Sequence, residues 1–149
     1  MARVPITKPE LTAEEAAEFR GLFFGEGHID LARSARGSSL MPRLRIAVRD
    51  DDAPVVYWCR SLFGGNISRT VRTRSVCWQL TGKARVLSAL QVLASGVIPS
   101  KKRREVRLLL EAIDLVPAPS VGIKPVAAQR LRELRDELKA VRAYPEKVA

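Results

Sequence analysis

The spacing of apolar residues changes period several times along the chain. Ala16, Phe19, Leu22 and Phe23 recur at helical spacing. Thr12-Ala13-Glu14-Glu15 precedes them as a capping box, in which the Thr side chain serves an orphan amide and Glu15 reaches back. The pattern predicts a helix from about Ala13 to Phe24, ending at Gly25-Glu26-Gly27. The period then shortens to two. His28 to Arg33 and Leu40 to Arg49 read as strands joined by a loop that holds Ser34, Arg36 and Gly37. In the second strand Leu44, Ile46 and Val48 alternate with Arg43, Arg45, Ala47 and Arg49, so one face is aliphatic and the other carries arginine.

Asp50-Asp51-Asp52 ends that strand, and Asp52 is placed to cap a helix from Ala53 to Phe63, with Pro54 in its first turn and Val55, Val56, Trp58 and Leu62 as its apolar set. Gly64-Gly65 stops it. A second hairpin follows, Asn66 to Thr73 and Val76 to Thr81, with Val76, Trp78 and Leu80 inward, Cys77, Gln79 and Thr81 outward, and Arg72 and Arg74 at the turn. Arg69 is in phase with Ile67 and Val71, so a twist or a bulge must bring it to solvent. Helices are predicted over Lys83 to Ala94 after Gly82, over Lys101 to Leu115 after Pro99-Ser100, and over Pro125 to Arg142 after a proline-marked linker. The order is α-β-β-α-β-β-α-α with a C-terminal helix. This is an α+β fold of two layers, a four-stranded antiparallel sheet with helices on one face. We divide it into an N-terminal arm (1–11), a core domain (12–116), and a linker with the last helix (117–149).

Composition narrows the function. The chain has 149 residues, 46% of them hydrophobic, enough for one domain with a core. No apolar run approaches the roughly 18 residues that span a bilayer, and the first residues lack the apolar stretch of a secretion signal. An intracellular protein is expected, cytoplasmic in a prokaryote or organellar in a eukaryote. Cys59 and Cys77 make no disulfide framework. A single histidine, His28, excludes a zinc site of the usual Cys/His kind and weakens a Ser-His-Asp triad. The formal net charge is +10, carried mostly by arginine, which favours a polyanionic partner. An uncovered, twisted, arginine-bearing sheet face is suited to the major groove of DNA.

Two local features suggest chemistry. Glu26 stands between two glycines at the helix-to-strand turn. It either holds a divalent cation beside phosphates or caps its own turn. Gly21 and Gly25, four apart in a helix, allow another helix to approach closely, from a second copy or from within the chain.

The run Phe19-Arg20-Gly21-Leu22-Phe23-Phe24-Gly25-Glu26-Gly27 resembles the signature of the LAGLIDADG homing endonucleases, with glycines at the third and ninth positions and an acid at the eighth. The downstream order of elements is similar too, including the Phe-Gly-Gly-Asn element and Trp78-Gln79-Leu80-Thr81-Gly82. The likeness extends from about Ala13 to Leu115. One copy of the motif resembles the homodimeric branch, whose members bind pseudo-palindromic duplexes of about 20 base pairs. The resemblance implies metal-dependent hydrolysis of both DNA strands, leaving four-base 3′ overhangs. It implies Mg²⁺, with Mn²⁺ as substitute and Ca²⁺ binding without supporting cleavage.

The family's roles fall on matching positions. Glu26 matches the metal-binding acid, and the Gly25 carbonyl matches a backbone oxygen of the metal shell. Asp50 falls where a polar residue, often Gln, orders water. Lys101 matches the basic residue near the scissile phosphate, with Lys102 the alternative register. Pro54 departs from an Arg that some relatives carry there, which leaves Lys101 with more of the basic role. Gly21, Leu22, Phe24 and Gly25 would form the dimer interface. Arg36, Arg43, Arg45, Arg72, Arg74 and Gln79 are the candidates for contacts to bases or nearby phosphates, followed by Ser34, Ser68 and Thr70. Arg49, Arg103 and Arg104 suit the DNA backbone. The competing readings are a non-cleaving relative, either an RNA-binding intron maturase or a DNA-binding regulator, and a plain basic dimerisation module. Glu26 together with Lys101 favours the nuclease.

Overall fold

A computed structural model of the chain describes residues 10–33, 40–117 and 122–142. Its elements run α1 (Ala13–Glu26), β1 (Gly27–Arg33), β2 (Leu40–Arg49), α2 (Ala53–Phe63), β3 (Asn66–Thr70), β4 (Ser75–Thr81), α3 (Lys83–Leu93), α4 (Ser100–Leu115) and α5 (Pro125–Arg142), with a 3₁₀ turn at Asp50–Asp52. The four strands form one antiparallel sheet in the order β1-β2-β4-β3. The expected α+β architecture is therefore the observed one.

The capping box forms as expected. The Glu15 amide donates to the Thr12 hydroxyl at 3.1 Å, and the Thr12 amide donates to the Glu15 carboxylate at 3.0 Å. At the start of α2 the structure departs from the sequence reading. Asp52 occupies the N-cap position but makes no side-chain cap bond, because Asp50–Asp52 is wound into the 3₁₀ turn and holds Asp52 outside the extended region a capping residue needs.

Apolar residues of the strands and helices meet in one core. Ile29, Leu44, Ile46, Trp78 and Leu80 come from the sheet, and Phe19, Phe23, Leu90, Leu109 and Ile113 from the helices. Leu131, Leu134 and Leu138 of α5 join the same cluster, so the last helix closes the core. An Arg130 guanidinium bridging Glu111 of α4 and Glu133 and Glu137 of α5 adds to that helix pair at the surface.

Helix α2 has two apolar stripes, and the buried one shares only Val56 with the apolar set read from the sequence. Ala53, Val56, Cys59 and Phe63 face the core, whereas Val55, Trp58 and Leu62 are only half-buried. Burial pushes the Cys59 thiol up to about 12, which leaves it an inert packing group. Arg69 is exposed without a bulge, since β3 pairs with β4 in unbroken register. The helical layer ends over Ile67, and Val71 beyond it is 90% exposed.

The Gly64-Gly65 turn fastens α2 to β4. The Trp78 indole donates to the Gly64 carbonyl at 2.8 Å. Gly65 has φ +101°, and a Cβ there would stand 2.6 Å from the Gln79 carbonyl and 2.9 Å from the Trp78 indole nitrogen. Gly65→Ala should therefore destabilise the protein by about 1–3 kcal/mol, read as a fall in denaturant midpoint with the slope unchanged.

Candidate nucleic-acid interface and catalytic hollow

Strand phase leaves one face of the sheet to polar side chains, and register arranges them in cross-strand rows. His28 lies opposite Arg45, Arg45 opposite Gln79, and Gln79 opposite Asn66. The next row is Asp30, Arg43 and Thr81. On the other side run Ala47, Cys77 and Ser68, then Arg49, Ser75 and Thr70. Expected contact residues Arg43, Arg45, Arg49, Ser68, Thr70 and Gln79 thus share one surface.

Arg72 and Arg74 project from the turn Val71–Arg74 at the end of the β3-β4 hairpin, both exposed. Arg74 takes φ 50°, and its carbonyl accepts the Asp50 amide at 2.9 Å, which ties this turn to the end of β2. Arg103 and Arg104 are exposed on the first turns of α4, where Arg103 donates to the Ile98 carbonyl at 3.2 Å. Arg49 stands 3.7 Å from Asp51, a fully solvated pair of little strength. Ser34 and Arg36 lie outside the described residues.

The sequence reading passed over Asp30. It is 6% exposed, although strand phase points it to the open face. Arg43 Nε donates to its Oδ1 at 2.9 Å and Arg43 Nη2 to its Oδ2 at 2.7 Å, and Arg45 Nη2 stands 3.5 Å from Oδ2. These bonds hold the Arg43 guanidinium above its ordinary pKa, against a smaller opposing effect of burial. Register would have found this pair, because Asp30 sits directly opposite Arg43.

A hollow opens where α1 ends. Gly25, Glu26 and His28 line one side, and Pro99, Lys101 and Lys102 of the α4 start line the other. The chain therefore brings Glu26 and both candidate lysines together from distant parts of the sequence, as the 75-residue span of the Lys102–Gly27 bond shows. Asp50 does not line this hollow. It follows β2 at the same end of the sheet, since Gly27 pairs with Ile46 only three residues before Arg49.

The two lysines differ. Lys102 Nζ donates to the Gly27 carbonyl at 2.8 Å and stands 3.3 Å from the Glu105 carboxylate, which is 0% exposed. Neither Glu105 oxygen has a hydrogen bond, so the ammonium is its one compensating charge among the described residues. Lys101 is exposed. A second tether reinforces the junction, as Arg20 of α1 donates to the Val97 carbonyl just before α4 at 3.1 Å.

Glu26 is exposed and makes no ion pair among the described residues. Within α1 the Gly27 amide takes the Phe23 carbonyl, and helix geometry leaves the following carbonyls, Gly25 included, without an intrahelical partner. A carboxylate beside free carbonyls at the negative end of a helix is a hard-oxygen donor set that fits Mg²⁺ or Ca²⁺. One chain supplies a single acid here, and no group of three or more His, Cys, Asp or Glu that could hold a metal occurs among the described residues.

The glycines of α1 face open space. A Cβ at Gly21 or Gly25 would meet nothing within 4 Å, so neither serves a contact inside the described chain. Glu18 and Leu22 on the same helix face line a shallow apolar hollow with Pro54, Val55 and Trp58 of α2. Phe24 is half-buried on the adjacent side of α1. No helix among the described residues is long and apolar enough to cross a membrane.

The different settings of the two lysines lead to opposite expectations. Lys102→Ala strips a buried carboxylate of its counter-charge and should lower stability by about 3–5 kcal/mol. Lys101→Ala should stay within about 0.5 kcal/mol of wild type. Paired urea titrations of the two variants check this.

No protein-family model and no curated protein matches the sequence. Solved structures do match. The homing endonuclease I-CvuI in complex with its target, in the presence of calcium, superposes with a TM-score of 0.74 at 14% identity, over 93% of this chain and 90% of that one. The homing endonuclease I-TnaI gives 0.67 at 14% identity, over 89% of this chain and 96% of that one. The LAGLIDADG homing endonuclease I-SmaMI bound to cleaved DNA gives 0.66 at 15% identity, over 89% of this chain but only 47% of that one. The expected resemblance thus holds at the level of architecture: this chain has the fold of the LAGLIDADG homing endonucleases.

Proposed function

We propose that this chain is a site-specific, metal-dependent DNA endonuclease that acts as a homodimer on a long pseudo-palindromic duplex and leaves four-base 3′ overhangs. The observation that carries the reading is the hollow joining Glu26 to Lys101 at the border of an arginine-rich open sheet. A binding module has no use for a solvent-exposed acid next to the phosphates it must attract. That acid repels the DNA backbone unless a cation lies between them.

The chain's own groups have separable tasks in this reading. Arginines of the sheet face and of the Val71–Arg74 turn hold the duplex by its phosphates and read base edges. The Glu26 carboxylate and the Gly25 carbonyl would hold a divalent cation, which would supply an activated water and polarise the phosphate. Lys101, exposed on the first turn of α4, offsets the charge that builds on the phosphate oxygens. Lys102 fixes the floor of the hollow by holding the Gly27 carbonyl. Asp50 lies outside the hollow, so any part it has in ordering water is from the rim.

Two copies are required on three grounds. One chain brings one acid to the hollow. The face holding Gly21 and Gly25 is vacant, with the half-buried stripe of Leu22, Val55 and Trp58 beside it. The chain also matches about half of I-SmaMI, which is the coverage expected of one half of a two-fold arrangement.

Incubation of a randomised duplex library with Mg²⁺, followed by sequencing of cut ends, should yield one near-palindromic site with four-base 3′ overhangs. Glu26→Gln should abolish cutting and leave retention of that duplex within about threefold. Unchanged cutting by Glu26→Gln would sink the assigned chemistry, and specific retention of intron RNA without any cutting would replace the nuclease by the maturase reading. Gly21→Leu should leave a folded monomer by circular dichroism and sedimentation velocity. It should also lose cleavage, since helix approach at that face needs the missing side chain.

A further inference from the structure

Asp30 is the one acid buried in the arginine-bearing face of the sheet among the described residues. An acid in a surface that meets phosphates weakens binding, and a buried ion pair adds little to stability over an apolar pair of similar size. Its geometry suggests another role. Arg43 gives Asp30 its Nε hydrogen and one Nη2 hydrogen, the side edge of the guanidinium. Three hydrogens remain, and of these the second Nη2 hydrogen and one Nη1 hydrogen form the end fork of the group. That fork is the edge that matches guanine O6 and N7 in the major groove. Arg43 is 22% exposed at its side chain, so its stem is enclosed while some of the group reaches the surface.

Resting on the nuclease reading above, we propose that Asp30 is a specificity-determining positioning residue, which clamps Arg43 by its side edge so that its end fork reads one guanine in each half-site. The clamp fixes a long side chain that is otherwise rich in rotamers, so less order is lost on binding. Arg45, 3.5 Å from the same carboxylate oxygen and opposite His28 and Gln79, is steadied alongside it. The arrangement sacrifices general affinity for discrimination. Neutralising Asp30 frees Arg43 to swing to any phosphate and removes a negative charge from the surface.

The test is a binding selection from randomised duplex DNA in Ca²⁺, run in parallel on the wild-type chain, Asp30→Asn and Arg43→Gln, with unrelated duplex as the non-specific reference. The wild type should show a guanine preference at one position per half-site of about tenfold or more, the range of a bidentate arginine pair. Asp30→Asn should lose most of that preference at this position only, while binding unrelated duplex several-fold more tightly. Arg43→Gln should lose the same preference without the gain. Asp30→Glu, which keeps the charge but shifts the carboxylate by one methylene, should lose the same preference without the gain in unrelated binding, and serves if Asp30→Asn folds poorly. A base-preference profile of Asp30→Asn identical to wild type, or a loss spread evenly over all positions, would overturn the clamp while leaving the nuclease reading intact. A wild-type chain that selects no duplex at all would overturn both.

Discussion

Gly27 is the point on which the geometry of the site depends. Helix α1 ends at Glu26 and strand β1 begins at Gly27, with no residue between them. A chain can turn from helix to strand this abruptly only if the first strand residue lies against the last helical turn. A Cβ at Gly27 would sit 2.5 Å from the Phe23 carbonyl and 2.6 Å from its ring, and both belong to the packed interior. The Gly27 amide caps α1 on the Phe23 carbonyl, and the Gly27 carbonyl takes the Lys102 ammonium. Helix α1, strand β1 and helix α4 therefore meet at one residue without a side chain. Glu26 precedes it and Lys101 lies across from it, so their separation inherits the rigidity of the core instead of that of a loop.

Three acids in this basic protein show how burial divides roles. Glu105 is fully buried and its charge is met by Lys102. Asp30 is nearly buried and its charge is met by Arg43 and Arg45. Both are spent inside the protein on orienting cations. Glu26 alone of the three is exposed with no ion pair among the described residues, which leaves its charge unspent within the fold. Surplus positive charge favours a polyanion at the surface, and under the proposed function the acids decide which lysine and arginine atoms would meet it.

Signals confined to a few neighbouring residues were legible in the sequence. The Thr12 capping box, the aliphatic-arginine alternation of β2 and the glycine stops each state a local geometry, and each formed. What the sequence withheld was the pairing of distant elements. Asp30 and Arg43 are 13 residues apart, and only strand register brings them face to face. The division of labour between Lys101 and Lys102 required knowing that Glu105 is buried beneath the second. Helix α2 shows a subtler failure. The sequence reading gave its apolar set as Val55, Val56, Trp58 and Leu62, yet of these only Val56 is buried, beside Ala53, Cys59 and Phe63. The second stripe, Val55, Trp58 and Leu62, stays only half-buried.

That second stripe bears on the length of DNA a chain can address under the proposed function. Strand β2 is the longest of the sheet at 10 residues. At about 3.4 Å per residue it extends about 34 Å, close to one turn of B-form DNA. One sheet laid along a groove therefore covers about ten base pairs, too few to single out one site among the competing sites of a genome. A second sheet related by a two-fold axis doubles the reach, and the palindromic character of the site follows from the axis itself. For both sheets to lie along one duplex the axis must pass close to the α1 ends, because that is where the hollow opens. The vacant glycine face of α1 is where the copies can come near enough for two Glu26 carboxylates to serve neighbouring phosphates on opposite strands. Dimer contact, cleavage centre and site length are thus one geometric requirement, which Gly21 and Gly25 meet by leaving space.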